Sequence, residues 1–351
     1  MDETRPIRAL ILSGGGARGA YEAGVAAALA ERMHFDIVCG TSIGGVNGFA
    51  VAQGMADQLE AIWIEAAEHD VAPYRPEIGG LMRLWSDVHA AVSDVSLTRR
   101  LHDALAMLES LPGLRELPRL QGLLGVLDSK LMRDKVSQYA RHENLQSALL
   151  LAATNLTSVD GTIFAHFPEN FPDPERAARF LSYGDVEPLT VDNYVDAVCA
   201  SAAIPGAFEP VVIRCKDGNQ HTFVDGAFTN NTPLCPAIDA GATEIIAISV
   251  EPLVTHAVER KVRNLGDVVA LALEAATSQM LQLDRKVLQL TNDTVAGGAT
   301  PGKHHVTLRE VRPAEKLLID PLDFTAPDKI AALVAQGRRD AERLLDAAPA
   351  A

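Results

Sequence analysis

A serine held between two glycines, where a strand gives way to a helix, is the first place in this chain where chemistry can be read. Gly40-Thr41-Ser42-Ile43-Gly44 is a G-x-S-x-G pentapeptide. Phe35 to Cys39 reads as a short apolar strand before it, and Val46 to Gln53 as the start of an apolar helix after it. A sharp turn of this kind lifts the serine hydroxyl clear of the sheet edge. Gly40 and Gly44 leave room for neighbouring backbone to approach the turn. The helix N-terminus behind Ser42 favours developing negative charge. The chemistry would be nucleophilic attack on a carbonyl carbon. That requires two further parts: a base for the serine proton and donors for the oxyanion. A chain with 26 glycines produces such a pentapeptide readily by chance, so the partners decide.

Donors are offered by Ser13-Gly14-Gly15-Gly16-Ala17-Arg18-Gly19, which follows the apolar run Ile7 to Leu12 and precedes a helical stretch from Ala20 to about Arg32. Two uses fit a strand, a glycine loop and a helix in that order. Gly14, Gly16 and Gly19 match the G-x-G-x-x-G of a dinucleotide site, in which Asp36 would stand near the place of the ribose-binding acid. Alternatively, consecutive glycine N–H groups form an oxyanion hole. Three glycines in a row exceed what a pyrophosphate turn needs, and the serine turn follows at once. Arg18 adds a positive charge beside the loop, or is simply a solvated residue at a helix start.

For the base there are ten histidines. His256, His304 and His305 come late enough for a Ser-His-Asp order, but none stands at a clear strand-to-loop junction. Asp225 does. It ends the strand His221 to Val224 and is followed by Gly226 and Ala227. A carboxylate can take the serine proton directly if partial burial raises its pKa toward working pH.

Composition narrows the class. The chain has 351 residues, 48% hydrophobic and 22% charged, enough for a large core without disulfides. Its formal charge of −15 argues against nucleic acid as a partner. Cys39, Cys199, Cys215 and Cys235 have no metal-ligand spacing, and Cys39 and Cys199 sit in apolar stretches as buried thiols. No metal is expected. The acidic start and the short run Ile7 to Leu12 do not make a signal peptide. No run reaches the roughly 18 apolar residues of a membrane span. The expectation is a cytoplasmic protein, with export that reads no such signal left open.

The elements that must position Ser42 and Asp225 read as α/β. Strands at Ala148 to Thr154, Thr162 to Phe167 and Thr243 to Val250 alternate with helices such as Val191 to Cys199, which argues for a mainly parallel sheet covered on both faces. Asp160-Gly161 is read as the turn between two of these strands. Val211 to Cys215 and His221 to Val224 read as a hairpin. Residues 55–146 are helical in pattern: Met55 to Glu68, Leu81 to Val92, Leu97 to Leu111, Leu120 to Leu127 and Ser129 to Tyr139. Leu101, Leu105 and Leu108 form an apolar stripe beside Arg99 and Arg100, with Arg115 and Arg119 near. Core packing is the plainer reading of that stripe, and peripheral membrane contact the other. A helix from Leu265 to Leu290, a strand from His305 to Val311 and a helix from Pro327 to Leu345 close the chain.

Together the Gly14–Gly19 loop, the Gly40–Gly44 elbow and Asp225-Gly226-Ala227 stand in the order of patatin-like phospholipases. The chain resembles that family over roughly residues 7–235. The blocks Ala200 to Pro210 and Asn231-Thr232-Pro233 add to the likeness, and Ala227 stands where the family more often has a third-motif glycine. The resemblance implies a three-layer α/β/α fold. It also implies a Ser42–Asp225 dyad, an oxyanion hole from Gly14, Gly15 and Gly16 helped by Arg18, and Gly19, Gly40, Gly44, Gly226 and Ala227 as motif positions. It implies an acyl hydrolase acting on a phospholipid, lysophospholipid or other long-chain acyl ester, without a cofactor. Residues 7–250 would form the catalytic domain, with an insert at about 55–146. Residues 251–351 would be an extension packed on it. A nucleotide-binding enzyme and a catalytically silent lipid-binding protein of the same fold remain the alternatives. Oligomeric state and natural substrate are not legible.

Overall fold

The computed structural model describes residues 5–69, 75, 125, 127–252, 265–298, 304–319 and 323–347. β1 (Arg8–Leu12), β2 (Ile37–Thr41), β3 (Ala148–Asn155) and β8 (Glu244–Ile248) are almost unbroken apolar runs. Such strands can only sit in the middle of a sheet covered on both sides. Among the described residues the sheet has nine strands, in the order β5 (Val186–Pro188), β4 (Asp160–His166), β3, β2, β1, β8, β9 (Thr307–Val311). β7 (Gln220–Asp225) pairs with β3, and β6 (Val211–Arg214) pairs with β7.

The contacts β1–β2, β1–β8, β2–β3, β8–β9 and β4–β5 are parallel; those around β4 and β7 with β3 are antiparallel. Alternate residues of each strand enter opposite cores. Leu10, Val38 and Leu149 face one, with α1 (Gly19–Ala30), α2 (Ile43–Ala52), α3 (Leu59–Glu68) and α10 (Pro327–Asp346). Ile11, Cys39 and Leu150 face the other, with α5 (Pro174–Leu181), α8 (Leu234–Asp239) and α9 (Leu265–Ala296). The three layers expected from the sequence are present.

One feature of the register positions the site. β4 (Asp160–His166) occupies one edge of β3 along most of its length. On the other edge β2 pairs as far as Thr41↔Ala152. β7 takes over at the next residue, with Ala153↔Asp225, and runs the opposite way. The C-terminal ends of β2 and β7 therefore abut along β3. Ser42 and Asp225, 183 positions apart in the chain, stand at that join.

Several boundaries differ from the sequence reading. The turn after β3 is made by residues 156–159, and Asp160 and Gly161 already belong to β4. The Asn155 side chain makes this turn, accepting from the backbone N–H of Thr157 at 2.9 Å and Ser158 at 3.3 Å. α5 and the short β5 (Val186–Pro188) were not foreseen. β9 (Thr307–Val311) extends the same sheet beside β8, and α10 packs on α1, where Tyr21 donates a hydrogen bond to Asp340 at 3.0 Å. Of the insert, α3 and α4 (Lys130–Tyr139) are described. The stretches 81–92 and 97–111, with the leucine stripe and its arginines, lie outside the described residues. Among those described, no helix is long and apolar enough to cross a membrane.

Candidate active site

Ser42 caps the N-terminus of α2 with φ 57° and ψ −129°. That backbone region is sparsely populated for any residue with a Cβ. The bend is tight because Gly40 and Gly44 are glycines. A Cβ on Gly40 would lie 2.4 Å from the Gly44 carbonyl oxygen, and one on Gly44 2.5 Å from that of Leu12. The ends of two helices, α6 (Tyr194–Ser201) and α7 (Ala227–Asn230), tie the elbow down. The Ser42 N–H donates to Ser201 Oγ at 2.9 Å, and Ser201 Oγ donates to the Ala152 carbonyl at 2.7 Å. Thr41 Oγ1 donates to the Asn230 carbonyl at 2.7 Å.

Ser42 Oγ donates to Asp225 Oδ2 at 2.7 Å. Asp225 Oδ1 accepts the N–H of Ala227 at 2.8 Å. The backbone N–H groups of Asp225 and Gly226 go to Ala203 and Ser201, so the turn is docked on the Ala200 block. Both reactive side chains are buried, Ser42 at 5% exposure and Asp225 at 2%. Burial raises the Asp225 carboxyl to about 6, against the lowering pull of its bonds to Ser42 and Ala227. Among the described residues no histidine bonds to either group. His221 bonds Asn155 and Asp217, and His304 bonds Arg176. His256 lies outside the described residues.

The glycine loop lies across the elbow. Gly14 passes so close that a Cβ on it would be 3.2 Å from that of Ser42, and its N–H donates to the Asn231 carbonyl at 3.3 Å. The Gly14 N–H, one of the expected oxyanion donors, is thus already bonded in this structure. The N–H groups of Gly15 and Gly16 meet no acceptor among the described residues. Gly16 has φ +59°, a left-handed conformation natural to glycine, and opens the 3-10 turn into α1 at Gly19. The Gly15 carbonyl accepts from the Arg18 backbone N–H at 3.3 Å and its Nε at 3.4 Å. A trans peptide points its N–H opposite to its C=O, so Arg18 turns the Gly16 N–H away from itself. The Arg18 guanidinium is also paired with Glu251. Its charge is thus balanced.

The rival dinucleotide reading loses its acid. Asp36 precedes β2, at the end of the sheet opposite the glycine loop. It is held by Arg5 at 2.7 Å and by the Arg8 N–H at 2.9 Å. Among the described residues no cluster of His, Cys, Asp and Glu could hold a metal ion.

The model of the family described as patatin-like phospholipase matches residues 10–238, well over half of the chain. The chain belongs to this family. A cGAMP-activated phospholipase of Escherichia coli (strain TW11681) is 26% identical over 242 residues, covering 65% of this chain and 53% of its own. The chain thus spans about half the length of that curated relative. Among solved structures, VipD from Legionella pneumophila aligns over 98% of this chain and 67% of its own at 16% identity, TM-score 0.38. Human GIVD cytosolic phospholipase A2 aligns over 96% and 63% at 12% identity, TM-score 0.35.

The patatin-like site opens into an apolar cavity. Ser42 and Gly16 stand in its wall with Val46, Phe49, Trp63 and Phe208. The sequence placed Ser201 and Asn231 in blocks that resemble the family but gave no role to either; they hold the elbow and the loop, and Glu22 was missed altogether. Glu22 is fully buried beneath the loop, accepting from Ser13 Oγ at 3.2 Å, with Oε2 unpartnered. Burial holds its carboxyl well above the usual range, favouring the uncharged acid. A group with a raised folded-state pKa costs stability as pH rises above its unfolded value. Glu22→Gln is therefore expected to exceed the wild type in urea midpoint at pH about 8, with the gap closing near pH about 4. Equal midpoints at both pH values would show that Glu22 titrates normally.

Proposed function

We propose that this protein is a lipid acyl hydrolase of the phospholipase A or lysophospholipase kind, working through Ser42 and Asp225. The observation that carries the reading is the 2.7 Å hydrogen bond from Ser42 Oγ to a buried carboxylate at the head of an apolar cavity. Ser42 Oγ attacks the acyl carbon while Asp225 takes its proton. The carbonyl oxygen becomes an oxyanion facing the N–H groups of Gly15 and Gly16. Collapse breaks the ester bond, and the leaving alkoxide takes the proton from Asp225. Water then attacks the acyl-enzyme, gives a proton to Asp225 and releases the fatty acid. Ser42 recovers its proton as the intermediate collapses.

One geometrical fact and the carboxyl's raised pKa support the division of labour. Asp225 has one oxygen on Ser42 and the other on a backbone N–H, so its acceptor is aimed. Its pKa of about 6 keeps it mostly ionised at neutral pH while making it a stronger base than an ordinary aspartate. Turnover at low substrate is therefore expected to rise with pH through about 6 and to level above about 7. A kcat/KM profile flat from pH about 5 to about 8 would remove Asp225 as the base. The direct test of the function is a panel of phospholipids, lysophospholipids and simple acyl esters, with Ser42→Ala as the control. A silent lipid-binding protein would bind these without turnover.

A further inference from the structure

We infer that α2 measures the acyl chain and that Gln53, at its far end, is the stop that sets chain-length preference. This rests on the acyl-hydrolase reading. Ser42, Val46, Phe49, Ala50 and Gln53 all line the cavity. Their spacing of three and four places them on one face of the helix. The cavity thus follows α2 from the nucleophile at its N-cap to Gln53 at its C-cap. Eleven residues (53 minus 42) at 1.5 Å each give about 16 Å. An extended hydrocarbon, with bonds of about 1.5 Å at tetrahedral angles, rises about 1.25 Å per carbon. The groove holds about 13 carbons.

The wall changes character at Gln53. Before that point the lining is mostly apolar, including Leu59, Ile62 and Trp63 from α3 and Val136 from α4; the polar exception on α2 is Asn47, whose amide is engaged by the Gly19 carbonyl and Trp63 Nε1, both at 2.9 Å. Gln53 itself is 5% exposed with its amide fully engaged. Nε2 donates to the Tyr139 carbonyl at 3.0 Å and contacts Met55 Sδ at 2.9 Å, while Oε1 accepts the Arg141 N–H at 2.9 Å. Beside it the Tyr139 hydroxyl and Lys135 Nζ both bond Glu65, joining α4 to α3. A chain that runs past Gln53 must displace a buried amide and orphan the backbone groups it satisfies. A shorter one leaves apolar wall unfilled.

The test uses saturated acyl esters of about 8 to about 18 carbons, with the full chain. Wild-type kcat/KM is expected to peak near 12–14 carbons and to fall about tenfold by about 18. Gln53→Ala should move the peak about three carbons longer. Ala50→Phe, which fills the groove about 12 Å from Ser42, should move it to about 10 carbons or fewer. The second variant keeps the test valid if loss of the Gln53 amide unfolds the protein. The same series of free fatty acids, binding to Ser42→Ala protein by displacement of a fluorescent fatty acid, gives a readout without turnover. A matching length cut-off in binding without hydrolysis of any ester would support the groove and sink the acyl-hydrolase reading. A flat length profile that Ala50→Phe leaves in place would overturn the inference.

Discussion

Ser42→Ala is expected to lower ester turnover by at least about three orders of magnitude, with the fold intact. The hydroxyl is the attacking atom, and the methyl that replaces it fits a site already holding Cβ. Backbone strain provides an independent check. Ser42 has φ 57°, which costs a residue with a Cβ about 1–3 kcal/mol. Glycine at this position relieves that strain and loses only about 0.5–1 kcal/mol through unfolded-state entropy. Strain is the larger effect, so Ser42→Gly should be equally inactive and melt about 1–3 °C above Ser42→Ala. Turnover retained by both variants would move the nucleophile elsewhere. A glycine variant less stable than the alanine one would mean that the elbow is not strained.

The elbow was legible because its requirements are local: Gly40 and Gly44 flank Ser42 and clash if given a Cβ. Asp225 was legible as a strand end followed by glycine. That it meets Ser42 was not legible from the residues and came only with the family resemblance. The meeting depends on β2 and β7 sharing one edge of β3, a matter of register between segments far apart in sequence. The roles of Ser201, Asn231 and Gln53 escaped for the same reason: each acts on backbone of another element. The Gly14 bond escaped in the same way: the sequence reads all loop N–H groups as free, and the Asn231 carbonyl takes one.

α5 is a different kind of miss, because its signal was present. Asp173-Pro174-Glu175 combines an N-cap, a first-turn proline and an acidic first turn, and Asp173 accepts the Arg176 N–H at 3.0 Å. Asp160-Gly161 misled in the opposite direction. It is a common turn pair placed one step inside a strand, while the less conspicuous Asn155 bends the chain.

Asp225→Asn is expected to lower turnover by about two orders of magnitude or more while raising stability at neutral pH. The amide is the same size as the carboxylate. Its oxygen can still accept the Ala227 N–H, and its nitrogen can donate to Ser42 Oγ, reversing the bond now present. The turn survives, but nothing remains to take the serine proton. Stability follows from linkage. Asp225 has a folded-state pKa of about 6 against an ordinary 3.8. The stability tied to its protonated form is fully present below about pH 4 and is lost as pH rises through about 6. Above that, keeping the buried charge costs roughly 2–3 kcal/mol, which the uncharged amide avoids. The variant should therefore denature at higher urea than the wild type at pH about 7.5, and the two should converge near pH about 4. Loss of activity with loss of stability at neutral pH would make Asp225 a structural anchor. Near-normal activity in Asp225→Asn, with a larger loss in a histidine variant, would shift the chemistry to a conventional triad.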